Sequence, residues 1–176
     1  MLSHSVAHAR TAGLALGGPA LLGLALGMPF GLRALLVEAG LMVAIVVGLT
    51  VLMLPALYIA TTLMGTAPSA QRMGAASIAA LRSGGTLLLG LTPASLFLIA
   101  TSQTALVVWV LGFLVLGASQ LTALRWLYSD LLSGSARRTR VMPVFVVWSL
   151  VSMGLGAHLF ARTLHHIQAG AVHAGL

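Results

Sequence analysis

Cysteine and lysine are absent from this chain of 176 residues, and carboxylates are reduced to two, Glu38 and Asp130. The lack of cysteine excludes disulfides, thiol nucleophiles, iron–sulfur clusters and thiolate-bound zinc. In a five-span arrangement these two carboxylates fall on opposite sides of the membrane, so within the chain they supply neither an acid–base pair nor the orienting member of a triad. Gly-x-Ser-x-Gly, His-Glu-x-x-His and phosphate-loop motifs are missing as well. The chain therefore reads as one that is not an enzyme. Charge is scarce in general, at 6% of residues, and the 42 residues between Arg82 and Arg125 contain none.

What is present is apolar. Hydrophobic residues make up 59% of the chain and mean hydropathy is +1.07, far outside the range of soluble domains. A helix crossing a bilayer needs roughly 20 apolar residues, so the uncharged stretch holds two spans joined at Thr101-Ser102-Gln103-Thr104. Dividing the whole chain at its charges predicts five spans, at 11–30, 41–64, 86–100, 106–124 and 141–161. The expected fold is all-α: a single polytopic domain over residues 1–176. The stretch 11–32 exceeds a secretory signal core, and no small-x-small cleavage site in it is followed by a polar mature region, so it is counted as the first span.

All nine basic residues are arginine and the formal charge is +7. The arginines flank apolar runs, where they anchor to anionic headgroups, and no basic stripe interleaves with aromatics as nucleic-acid binding requires. In a five-span model Arg10, Arg72, Arg82, Arg125, Arg137, Arg138 and Arg140 share one side, against Arg33 and Arg162 on the other. This bias predicts a cytoplasmic N-terminus and an external C-terminus. Residues 65–82 fit a short helix on the inner face, and 125–140 a flexible turn ending in a basic anchor at Arg137, Arg138 and Arg140.

Glycine recurs in the first span at Gly13, Gly17, Gly23, Gly27 and Gly31. Residues four apart share a helix face, and glycine there lets a second backbone approach. A contact face is expected, inside the chain or against another subunit; glycine abundance in membrane helices is the compositional alternative. Pro55 and Pro93 are expected kinks, static or hinge-like. His158, Arg162, His165 and His166 fall near one face of the last span, and His4 and His8 form an i, i+4 pair at the other end of the chain. Paired haem ligation needs facing histidines at similar depth, which two clusters on opposite sides do not supply. Neither group has a carboxylate or thiol to complete a metal site. No metal or cofactor is expected from these residues, although whether the histidines bind one stays open at this level. Glu38 is placed at the entrance to the second span, five residues after Arg33, where an anchoring or Arg33-paired role is expected and an ion or proton site is the alternative.

Leu54-Pro55-Ala56-Leu57-Tyr58, then Leu63-Met64-Gly65, an Ala-rich segment and Leu91-Thr92-Pro93 together resemble the bacterial Yip1-like membrane proteins, over roughly residues 30–130. That resemblance implies a compact bundle of about five helices and an organising rather than catalytic role. Where a basic residue followed by proline is expected ahead of the second span, this chain has Glu38-Ala39-Gly40. The expected function is thus a non-catalytic scaffold or accessory subunit of a bacterial inner membrane, with lipids and other membrane subunits or copies of itself as partners and no nucleic acid. A small transporter or channel subunit is the alternative, and a cofactor-holding subunit of a respiratory or photosynthetic complex a further one.

Overall fold

The computed structural model describes the backbone of residues 2–65, 68–102, 104–132 and 138–173, and the side chains of 11–65, 68–102, 104–131 and 141–166. Among the described residues there are five α-helices and no strand: α1 (Leu2–Gly27), α2 (Leu32–Leu63), α3 (Ala70–Ser102), α4 (Ala105–Leu132) and α5 (Arg138–His173). A one-turn 3-10 helix, Met28–Phe30, separates α1 from α2. Each of the five is long and apolar enough to cross a membrane. Inside hydrocarbon a backbone must satisfy its own polar groups, which makes continuous helix the only open-chain solution. Side-chain hydroxyls follow the same demand, apart from the Ser149 Oγ, which is buried without a partner. Thr50, Thr61, Ser77, Thr92 and Ser152 each donate to the carbonyl one turn back, at 2.7–2.9 Å.

The break after α1 follows from Gly27-Met28-Pro29-Phe30-Gly31. Pro29 lacks the donor an α-helix needs, and Gly31 takes φ 92°, which L side chains disfavour. The Leu35 amide then donates to the Gly31 carbonyl at 3.0 Å and starts α2.

The helices form a closed ring. α1 packs between α2 and α3, α4 lies on α3, and α5 closes the circuit by touching both α4 and α2. Chain direction alternates, so α1 runs parallel to α3 while the other adjacent pairs run antiparallel. Two apolar clusters fill the interior. One, around Leu22, Leu26, Met42, Leu88, Val108, Phe160 and Leu164, lies toward the end of the bundle where α1 turns into α2. The other, around Leu57, Met73, Ala76, Leu127 and Phe145, lies toward the opposite end.

Three expected boundaries change. The second helix starts at Leu32, so Glu38 lies within it rather than ahead of it. Residues 70–82 are the first turns of α3 rather than a separate surface helix, because Met73, Ala76, Ser77 and Ala80 are buried on the same side as Gly84 and Leu88 farther along. Arg125 and Asp130 belong to α4, which continues to Leu132; the rest of the expected turn, 133–137, lies outside the described residues. Pro55 and Pro93 sit with exposed rings inside uninterrupted helices.

Candidate functional site: a central crevice and a buried glutamate

Small residues set the spacing of the ring. A side chain at Gly18 would strike the Gly85 carbonyl, and one at Gly85 would strike the Leu14 carbonyl, so α1 and α3 meet backbone to backbone. Reciprocal approach of this kind brings Cα–H groups onto facing carbonyls, a weak but recurrent interhelical bond. Gly23 lies against the Glu38 carbonyl and Ala39, and a Cβ at Gly27 would come within 2.5 Å of the Leu35 Cα. These two glycines hold α1 against α2. The other members of the series act differently. Gly13 has open space around it, Gly17 touches only a Leu89 methyl at 4.0 Å, and Gly31 serves the turn. Gly18 and Gly85 were not singled out by the four-residue spacing, although Gly17-Gly18 and Gly84-Gly85 pairs mark places where two backbones approach.

At the centre of the ring, between the two apolar clusters, lies a crevice of about 120 Å³. All five helices line it: Pro19 from α1, Leu49 and Met53 from α2, Ala80 and Gly84 from α3, Ser119 and Gln120 from α4, Trp148 and Ser152 from α5. Most of its polar groups are committed elsewhere. Ser119 donates to the Gly84 carbonyl at 3.0 Å and the Trp148 indole to the Met53 carbonyl at 2.8 Å, each bond joining two helices. The Gln120 amide faces Gly156, where an added Cβ would lie 3.0 Å from Oε1. A cavity walled by aliphatic groups and spent hydroxyls suits an apolar occupant.

Glu38 lies on the inward stripe of α2 with Met42 and Ile45, and none of its surface is exposed. Neither carboxyl oxygen has a hydrogen-bond partner. The expected pairing with Arg33 does not occur: Arg33 is exposed, five residues and roughly 7.5 Å back along the helix. A lone charge at the edge of an apolar run suggests the end of a span and hence an interface. The structure places it inside the bundle.

The arginines named as anchors have diverse settings. Arg72 is exposed and donates through its guanidinium to the Asp130 carbonyl at 2.8 Å, occupying an acceptor in the last turn of α4. Arg82 and Arg125 are exposed. Arg137 lies outside the described residues, as do the side chains of Arg138 and Arg140, whose backbone begins α5. His158, His165 and His166 are exposed near the far end of α5, with the His165 ring edge-on to Trp109 at 4.9 Å. His4 and His8 have side chains outside the described set. No cluster of three metal-ligating residues occurs among the described residues.

No family model, curated protein or solved structure matches this chain. The site is therefore read from its own geometry.

Proposed function

We propose that the chain is a non-catalytic accessory or scaffold protein of a bacterial inner membrane, with its N-terminus in the cytoplasm, acting on what it touches within the bilayer. The observation that supports this reading is the economy of its connections. Five helices of 26–36 residues are joined by linkers of at most six. Between the helices, little chain is left to build a binding or catalytic surface in water. The outward faces carry Val47, Val51, Leu63, Phe97, Leu114, Val147 and Leu150, suited to acyl chains or to another membrane helix. The arginine distribution supports the orientation. The five-helix plan, with the Leu54–Tyr58 and Leu91–Pro93 segments, supports kinship with the Yip1-like group, a likeness of architecture that does not by itself carry a function.

Purification in a mild detergent, followed by mass spectrometry of co-purifying chains, tests the reading. A stoichiometric membrane partner is expected. A lone chain or homo-oligomer that moves a solute across proteoliposomes would replace it with the small-transporter reading, which the central crevice favours.

A further inference from the structure

We propose that Glu38 is an intramembrane proton-binding site, and that loss of its proton loosens the α1–α2 seam at Gly23.

The argument begins with what can satisfy this carboxyl group. It is wholly buried and both oxygens lack a hydrogen-bond partner. A bare carboxylate so placed carries the full cost of desolvation with nothing to offset it. Four companions could relieve it: a basic side chain, a water molecule, a metal cation or a proton. The described side chains of α1 and the 3-10 turn contain no titratable group, and α3 and α4 contain none between Arg82 and Arg125. On α5, His158, Arg162, His165 and His166 are exposed, and on α2 itself Arg33 is exposed, so none is buried beside the carboxyl group. A buried water needs two to four polar partners. A hard metal cation such as Ca²⁺ needs six or more oxygens. The buried side chains on neighbouring turns of α1 and α2 are instead Leu22, Leu26, Met42 and Ile45, all apolar. A proton removes the charge without any further ligand and leaves only the smaller cost of an unbonded neutral carboxyl group.

The coupling follows from the seam. Gly23 lies against the Glu38 carbonyl and the Ala39 Cα, leaving no room for a hydration shell between α1 and α2 at that turn. When the carboxyl O–H gives its proton to water, the remaining carboxylate must be solvated; no surface of Glu38 is exposed, so helices packed around it must part, and the α1–α2 seam, where Gly23 lies against the backbone of this same residue, is the place assigned to that parting. Proton release and opening of the seam are one event. This inference stands on Glu38 alone and is independent of the accessory-subunit reading.

Infrared spectroscopy of the full chain in lipid nanodiscs tests it without requiring reagent access. At neutral pH the wild type should show a carboxylic-acid C=O band that shifts in heavy water and is absent from Glu38→Gln, which mimics the neutral acid and should remain folded. Amide hydrogen exchange across 19–42 should accelerate several-fold as pH rises in the wild type, beyond the intrinsic chemical dependence, and show no such excess in Glu38→Gln. A wild-type spectrum with no acid band overturns the site. An acid band with equal exchange in the two proteins overturns the coupling, and loss of the band on adding sodium chloride at fixed pH assigns the carboxyl group to a metal cation instead.

Discussion

The two sides of the ring are built by opposite means. Along α1 the contacts with α2 and α3 are backbone against backbone, made possible by Gly18, Gly23, Gly27 and Gly85. Along α5 they are made by large side chains: Phe160 seated on Gly112 and edge-on to Phe113 at 4.9 Å, Phe145 near Tyr128 at 5.3 Å, and Trp148 reaching the Met53 carbonyl. The glycine seams bring backbones into contact, and Pro19 and Gly85 beside them form one wall of the crevice. The aromatic ones hold α5 at both ends and leave the crevice between. In a bilayer, where burial from water does not drive helices together, surface fit decides how much empty space remains.

The largest expected effect comes from filling a glycine seam. Gly85→Leu should destabilise the bundle by about 3 kcal/mol or more, since a rigid carbonyl, not a flexible side chain, blocks the added atoms. Gly13→Leu should be neutral. Thermal unfolding in detergent, followed by size-exclusion profile, compares them; equal behaviour would erase the distinction between seam and open glycine.

Next in size is Gly27→Leu, expected to cost about 2–3 kcal/mol, with Leu24→Ala costing less because Leu24 is only partly buried. The same assay ranks them. On the aromatic side, Gly112→Ala should cost about 1–2 kcal/mol, because the Phe160 ring must move. Phe160→Leu in the Gly112→Ala background should recover part of that loss, whereas no single side-chain reduction should rescue Gly85→Leu. This contrast in rescue is the sharpest test of the two modes of packing. The smallest effect is expected at the crevice wall: Ser119→Ala removes one interhelical hydrogen bond, worth about 0.6 kcal/mol.

Much of this architecture is legible in the sequence, since five long apolar runs cannot be anything but helix within hydrocarbon. What misled was the use of charge as punctuation. By local pattern Glu38 ends a span, yet it lies inside one, because a side chain turned into the bundle does not face lipid. Arg72 and Arg82 likewise appear to bound a surface segment, but they are on the exposed side of a helix whose other side is buried through Met73, Ala76 and Ala80. Of the glycines in the four-residue series, Gly23 and Gly27 lie at the α1–α2 contact. The series missed Gly18 and Gly85 because one helix with two neighbours presents two faces, and a single four-residue register describes only one. The crevice and the orphaned carboxyl group depend on how five helices meet, which no local pattern encodes.

The parallel pairing of α1 with α3 also has a consequence for synthesis. Gly18 leaves the ribosome well before its counterpart, and at about 5–20 residues per second the stretch 19–85 takes roughly 3–13 s to make. During that interval α2 can settle on Gly23 and Gly27, but the Gly18 face of α1 has only lipid or another protein beside it. A nascent chain arrested before α3 therefore displays an unfilled glycine notch that the finished protein conceals, and it is at this stage of biogenesis that the first helix is open to a foreign helix.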